Sequence, residues 1–312
     1  MFRFLPWKMI VRRTARAYGI ADPALWLARL RQFAQPSEVQ EPIELLRAGI
    51  HFHARGLINT KAIQHNLDWV WPYWVERQFD PRDESFLPRA FSFSHVNLTH
   101  RNWTAVGLPE LSLSPLVDPR GLVTPLPDGW SLDFWLSDSH GNQLVPSQVT
   151  DEFCKQSIRS GYDLAVETIV QKGDLRLGTV TEVVVEDELP VLKMTVTART
   201  DGGGNLAVGI RPCNPEGVQF IDTVKSMADA KGWIVNGSST VLTDRPADRL
   251  LTSHYDEGDV VPQINADRTS GREPDATVSE SCDQGMATAA SVFHFERQQL
   301  QLIVRVPLQD EL

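Results

Sequence analysis

The spacing of the hydrophobic positions changes near residue 80 of this chain. Before that point apolar residues recur every three to four positions, which is the period of an amphipathic helix. One helix is predicted to begin at Asp22 and Pro23 and to end at Pro36, and a second helical segment covers residues 56–79. The pattern therefore predicts an N-terminal helical section, residues 1–79.

Proline and tryptophan make the second helical segment distinctive. Because proline has no backbone N–H and clashes with the preceding turn, the helix is predicted to kink at Pro72 or to stop and restart there. Trp69, Trp71 and Trp74 cover more than one face of this segment. Two interpretations remain open: the rings are buried between two layers, or exposed rings stack on sugars.

After residue 80 apolar and polar residues alternate with a period of two, which indicates half-buried strands. Residues 202–204, three glycines, are predicted to form a hairpin loop, and residues 252–290 a long polar surface excursion. The clearest strand places four apolar residues on one face: Leu192, Met194, Val196 and Ala198. The expected fold is mainly β, a large antiparallel β-sandwich over residues 80–312.

Composition and charge narrow the class of protein. Hydrophobic residues make up 42% and charged residues 22% of the 312, as in an ordinary globular protein. The net charge of −10 argues against nucleic acid as a partner. No apolar run is long enough for a transmembrane segment. The three cysteines lie far apart, which favours a reducing compartment such as the cytoplasm.

The first 21 residues contain five basic side chains and no acidic one. Such a segment can lie on an anionic membrane surface, act as a targeting segment, or pack as an amphipathic helix on its own protein. The helix start at Asp22 and Pro23 directly after it favours the last interpretation.

Candidate chemistry is sparse. His51 and His53 form an HxH pair, a pattern found in some metal sites, but no third ligand follows at a diagnostic spacing. No phosphate-binding or dinucleotide-binding motif is present, so no cofactor is expected. Because the histidine pair has no third ligand, no metal is expected either. Glycoside hydrolysis needs a protonated and an ionised carboxyl group on either side of the bond, and the sequence does not pair any two. Catalytic residues therefore stay unknown.

The segment 209–218, GIRPCNPEGV, places a cation in a stiff loop. Pro212 restricts its own backbone and pushes Arg211 into an extended conformation. Asn214 favours the start of a turn, and Glu216 is a possible partner for the guanidinium. Arg211 therefore either ties the loop to its own sandwich or docks another domain.

A family resemblance rests on two stretches, AVGIRPCNPEGVQFI and MATAASVFHF. In these the chain resembles the N-terminal region of bacterial six-hairpin glycosidases, among them glucoamylase-like and glycogen-debranching-like proteins. The resemblance covers roughly residues 80–312. It implies a mutarotase-like super-sandwich that precedes an (α/α)₆ catalytic barrel, with the catalytic carboxyl groups in the barrel.

The resemblance implies a non-catalytic β-domain that packs against, or shapes the active site of, a C-terminal helical catalytic domain outside these 312 residues. Two alternatives stay open. The chain is a stand-alone module that binds an oligosaccharide, or a non-enzymatic assembly protein that docks through its basic N-terminal helix. Whether the chain by itself is an enzyme is uncertain. Six residues are candidates for ligand binding or domain docking: Arg211, Asn214, Glu216, Trp69, Trp71 and Trp74.

Overall fold

A computed structural model describes most of the chain. The described residues are 54, 56–66, 68–86, 103–109, 111, 114–126, 129–159, 164–265 and 277–308. The basic segment 1–21, the predicted helix over residues 22–36, and the His51–His53 pair lie outside them.

The chain divides into two compact units, Met1–Ile58 and Asn59–Leu312. The second unit contains both the end of the predicted helical section and the β-structure. Trp74 and Val75, from the helical section, belong to its main hydrophobic core. The division into two domains with a boundary near Phe79 stays a prediction.

Among the described residues, two helices precede the strands. Residues 56–65 are helical (α1), and α2, Tyr73–Phe79, begins directly after Pro72. Pro72 itself has extended backbone, with ψ of 148°, and α1 has already ended at residue 65. The helix therefore stops before Pro72 and restarts after it, which is one of the two predicted outcomes. No helix among the described residues has the length and apolar character needed to cross a membrane.

The described part of the chain contains nineteen strands. In chain order they are β1 (Thr104–Ala105), β2 (Leu116–Val117), β3 (Val123–Thr124), β4 (Ser131–Asp138), β5 (Gln143–Leu144), β6 (Cys154–Arg159), β7 (Ala165–Lys172), β8 (Leu175–Glu186), β9 (Leu189–Arg199), β10 (Gly204–Arg211), β11 (Cys213–Asn214), β12 (Gly217–Val218), β13 (Thr223–Ser226), β14 (Gly232–Val235), β15 (Ser239–Thr243), β16 (Arg249–Ser253), β17 (Ser279–Ser281), β18 (Thr288–Phe295) and β19 (Gln299–Pro307).

These strands form two large sheets and one small hairpin. The first sheet has the order β1-β2-β3-β4-β10-β18-β16, with β5 beside β4. The second has the order β17-β13-β14-β15-β19-β9-β8-β7-β6, and β11 pairs with β12. The pairings within both sheets are antiparallel. The predicted fold class, a large antiparallel β-sandwich, is confirmed.

The core lies between the two sheets. The predicted apolar face of β9 is fully buried there, and its polar positions, such as Lys193 and Thr195, are not. One hydrogen bond crosses the core: Trp233 Nε1 of the second sheet donates to Ser291 Oγ of the first, at 2.8 Å. Alternating burial of β-branched and long apolar side chains thus holds the sheets face to face.

The prediction of a hairpin at residues 202–204 is wrong. β9 belongs to the second sheet and β10 to the first, so the glycines carry the chain from one sheet to the other. Gly203 has φ of +82°, and a Cβ on Gly204 would overlap the backbone oxygen of Ser137. The glycines are needed because the crossing chain runs close to the neighbouring backbone.

The prediction of a surface excursion over residues 252–290 is also wrong for much of that stretch. Its described part includes the end of β16, a 3₁₀ helix at Val261–Asn265, β17 and the start of β18. Asp259 and Val260 are buried. The segment is buried although it has few apolar positions, because neighbouring elements cover it. Asp259, for example, is bonded to Val70 and Arg211.

Candidate functional site

Arg211 is the last residue of β10, where that strand lies between β4 and β18. Its side chain is only 1% exposed and is among the largest fully buried side chains described. The sequence places it there because the alternation of β10 ends on an extended residue held by Pro212. A buried guanidinium needs a full set of acceptors, and the structure supplies them.

Asp259 is the ionic partner of this guanidinium. Nη1 of Arg211 donates to Oδ1 and Nη2 to Oδ2, each at 2.6 Å, in a bidentate pair. Nη2 also donates to the carbonyl oxygen of Val70 at 2.7 Å. The carboxylate in turn accepts the backbone N–H groups of Val70 at 2.6 Å and Val261 at 3.1 Å. The pair therefore joins the end of β10 to two separate loops.

Two indole rings complete the surroundings of the guanidinium. Its central carbon lies 5.7 Å from the ring centroid of Trp69 and 5.2 Å from that of Trp135. Both distances are within the range of cation–π attraction. Trp71 stacks on Trp69, with the ring centroids 6.1 Å apart. We call Arg211, Asp259, Trp69 and Trp135 the arginine centre.

A second carboxyl group lies beside the arginine centre. Asp133 of β4 accepts Trp135 Nε1 at 2.8 Å and the backbone N–H of Phe134 at 2.9 Å. Burial raises the pKa of Asp133 to about 6, although the charge of Arg211 opposes the shift. Asp133 thus orients the indole that covers the guanidinium.

The charges of the arginine centre decide its chemistry. Burial alone would lower the pKa of Arg211, but the charge and hydrogen bonds of Asp259 outweigh burial and raise it above its usual value. Burial also raises the pKa of the neighbouring Cys213 thiol to about 12, so this thiol stays protonated and is not a nucleophile. The arginine centre is therefore a buried ion pair that is closed to solvent.

The loop after Arg211 is the small hairpin of β11 and β12. Asn214 Oδ1 accepts the backbone N–H groups of Glu216 at 2.8 Å and Gly217 at 3.2 Å, which confirms the predicted turn start. Gly217 has φ of +150°, and a Cβ there would overlap the Asn59 amide. Asn214 is buried and Glu216 is partly exposed.

Five of the six candidate residues are buried: Arg211, Asn214, Trp69, Trp71 and Trp74. The structure brings Arg211 and Trp69 together and gives Arg211 an internal partner. The structure therefore shows burial, and not exposure, for the three indoles. A ligand or docking role for the six residues stays a prediction.

Sequence reasoning missed the acidic half of the arginine centre. Asp259 lies 48 residues after Arg211, inside a polar stretch, and no local pattern pairs the two. Asp133 did carry a signal, because it is a carboxyl group within the apolar run of β4. A charge at a strand position of that kind indicates a buried partner.

Gly209 of β10 lies under the Trp135 indole, and a Cβ there would overlap the ring. Because Asp133 holds the buried indole, Gly209→Ala is expected to lower the free energy of unfolding by about 1–3 kcal/mol, measured by urea denaturation. Gly178→Ala in β8 is the matched control, since a Cβ there meets no described atom closer than 3.9 Å. An equal loss in both variants would contradict the prediction.

A charged cleft of about 560 Å³ lies beside α2. Arg120 lies in it with its guanidinium 5.3 Å from the centroid of the Tyr73 ring and bonded to Asp151 at 2.6 Å. Arg77 pairs with Asp83 at 2.7 Å. Burial would raise the pKa of Asp83, but hydrogen bonds, including the one from Arg77, lower it to about 2. Arg77 thus helps to keep the Asp83 carboxyl group ionised.

Glu76 differs from the other acids of the charged cleft. Nearby protein atoms desolvate its carboxyl group and raise its pKa, although the residue as a whole is exposed. A general acid needs an accessible carboxyl group with a raised pKa. Glu76 is therefore the acid to test first for catalysis.

Asp118 is buried behind this cleft and is 1% exposed. Its Oδ1 accepts the backbone N–H groups of Arg120 at 2.8 Å and Leu122 at 2.9 Å, while Oδ2 has no hydrogen-bond partner among the described residues. Burial raises the pKa of Asp118 to about 7, and the nearby charge of Asp133 adds to the shift. An uncharged Asp118 explains how one oxygen is buried without a donor.

No protein-family model matches the chain, and a comparison with curated proteins finds no match. Among solved structures the chain is similar to a bacterial glucoamylase complexed with acarbose, at 8% identity and a TM-score of 0.44, over 67% of this chain and 33% of the other. It is also similar to a 4-α-glucanotransferase from Thermococcus litoralis, at 7% identity and a TM-score of 0.30, over 68% and 40%. The chain spans well under half the length of either protein.

Proposed function

We propose that this chain is a non-catalytic β-domain of a carbohydrate-active protein, which contacts a helical catalytic domain and shapes its active site. The sequence resemblance supports this proposal through the loop of Arg211, Pro212, Asn214, Glu216 and Gly217. In that loop Arg211 and Asn214 serve the fold, because both are buried and bonded within the chain.

The observation that carries the proposal is the burial of the acidic residues and their bonding to arginines. Hydrolysis of a glycosidic bond needs an accessible pair of carboxyl groups about 5–10 Å apart, one of them protonated. Three described carboxyl groups have raised pKa values: Asp118 and Asp133 are buried, and Glu76 is exposed. In the charged cleft Asp83 and Asp151 are bonded to arginines. Asp118, Asp133, Asp83 and Asp151 therefore support the fold. This fits a domain that acts by contacting a catalytic domain.

The exposed end of the loop is the part that would contact the catalytic domain. Phe220 follows the small hairpin and is 53% exposed, and Glu216 in the turn of the hairpin is partly exposed. A large exposed ring next to a rigid hairpin is a typical centre for a protein interface. The docking role proposed for the loop therefore falls to Phe220 and Glu216, with Arg211 holding the hairpin in place.

The purified chain is expected not to hydrolyse maltooligosaccharides, because the sequence resemblance places the catalytic carboxyl groups in a helical barrel outside these residues. Release of reducing sugar is measured against heat-inactivated protein. Turnover that survives repurification and disappears in Glu76→Gln, but not in the exposed control Glu188→Gln, would overturn the proposal. Such a result would make the chain a glycosidase with Glu76 as general acid.

The charged cleft favours one alternative, binding of an oligosaccharide without hydrolysis. Arginine and carboxylate groups that line an open cleft are suitable partners for sugar hydroxyl groups. Calorimetric titration with a maltooligosaccharide tests this separately from turnover. Saturable binding that is weakened by Arg77→Ala and unaffected by Arg176→Ala, which lies outside the cleft, would favour the binding module.

A further inference from the structure

Three side chains with metal-ligand atoms converge where the edges of the two sheets meet. His254 follows β16, the edge strand of the first sheet, and Glu257 lies in the turn after it. Glu280 lies in β17, the edge strand of the second sheet. The ligand atoms of the three residues all lie within 4.8 Å of one another.

The distances between these atoms suit a shared cation better than they suit hydrogen bonds. His254 Nδ1 is 3.5 Å from Glu257 Oε2 and 3.5 Å from Glu280 Oε1. Both separations are long for an N–H···O hydrogen bond. Two ligand atoms, each about 2.1 Å from one zinc ion in tetrahedral geometry, lie about 3.4 Å apart. The two separations from His254 Nδ1 are therefore compatible with ligands of a shared zinc ion.

The structure also gives the imidazole nitrogen no other partner among the residues it describes. His254 Nδ1 is shielded from solvent and has no hydrogen-bond partner among the described residues. A shielded polar atom of this kind is costly unless something binds it. The rest of the His254 side chain is 25% exposed and Glu257 is 59% exposed, so water can reach the site and complete a coordination shell.

We propose that His254, Glu257 and Glu280 bind a divalent transition-metal ion of the zinc type. One imidazole and two carboxylates form a mixed nitrogen and oxygen ligand set that zinc accepts. The site is built from separate elements, and two of its ligands are held by neighbours: Thr252 Oγ1 contacts Glu280 Oε2 at 3.4 Å, and the Glu257 N–H bonds to the His254 oxygen.

Metal binding here would tie the edges of the two sheets together. Ser253 Oγ donates to the Gly258 oxygen at 2.8 Å, which closes the turn that holds His254 and Glu257. The next residue is Asp259, the partner of Arg211. The ion would therefore stabilise the segment that supplies the acid of the arginine centre.

Zinc titration of the full chain after chelator treatment tests the proposal by calorimetry and by thermal melting. The expected result is one zinc bound through this site, with a higher melting temperature. His254→Ala should weaken binding by more than the roughly 10- to 100-fold that loss of an outer-shell partner costs. Glu257→Gln should weaken it as well, and because Glu257 is largely exposed, this variant keeps the fold.

Two controls make the outcome decisive. His140→Ala removes an exposed histidine elsewhere and should leave binding unchanged. The double variant His51→Ala/His53→Ala removes the HxH pair of the sequence and should also leave zinc binding unchanged. Zinc binding that survives both His254→Ala and Glu257→Gln, that is lost in the double variant, or that is absent in the parent at millimolar zinc would overturn the proposal.

Discussion

Arg211→Ala is expected to lower the free energy of unfolding by about 3–5 kcal/mol, because it leaves the buried Asp259 carboxylate without its partner. The variant also removes the side chain that lies against Trp69 and Trp135. Equilibrium denaturation in urea measures the loss. Arg82→Ala is the matched control: its side chain is 90% exposed and pairs with Asp80, so stability should not change measurably.

A double replacement separates the ion pair from the space it fills. In Arg211→Met/Asp259→Leu neither charge remains, so the loss should be smaller than in either single variant. A loss below about 1 kcal/mol for Arg211→Ala alone would contradict the internal role. In that case a longer protein that loses domain association with Arg211→Ala would show that the residue docks another domain.

The free energy of unfolding is expected to fall as the pH rises from about 4 to about 7. Asp118 has its pKa raised from 3.8 to about 7 by burial, so its contribution is fully present below the unfolded value and is lost as the pH rises through the folded value. Asp133, raised to about 6, acts in the same direction. The raised pKa of Asp118 corresponds to a loss of at most about 4 kcal/mol.

Asp118→Asn tests this pH dependence directly. The amide keeps the shape of the uncharged carboxyl group and can still accept the two backbone N–H groups at Oδ1. The variant should therefore lose less stability between pH 4 and 7, and should be more stable than the parent at pH 8. Urea denaturation across this pH range measures both effects.

Asp174→Asn, an exposed change in the turn between β7 and β8, is the matched control and should leave the profile unchanged. If Asp118→Asn has the same pH slope as the parent, then Asp118 is ionised in the folded protein. Its Oδ2 would in that case need a donor outside the described residues.

Local patterns in the sequence determined the elements. The alternation from Leu192 to Ala198 predicted which face of β9 is buried, because successive strand residues point to opposite sides. Pro72 directly precedes α2, because its fixed backbone angle suits the start of a helix and its ring is excluded from a helix interior. Asn214 predicted the turn of the small hairpin through a contact with its own neighbours.

The partners of these elements were decided by the tertiary structure. β9 and β10 are adjacent in sequence with only a glycine-rich link between them, yet they pair in different sheets. The same two alternating strands would have satisfied a hairpin equally well, since an apolar face shows that a strand is covered but not what covers it. The pairing was decided by which arrangement buried the apolar faces of the strands together.

The arginine centre and the proposed metal site show the same division at the level of side chains. The sequence determined that Arg211 is held in an extended conformation beside a stiff loop. That Asp259 receives it, and that His254 and Glu257 meet Glu280, was decided by the packing of segments far apart in the chain. Charge pairing acts over a few ångströms of space, and separation along the sequence does not encode that distance until the sheets have formed.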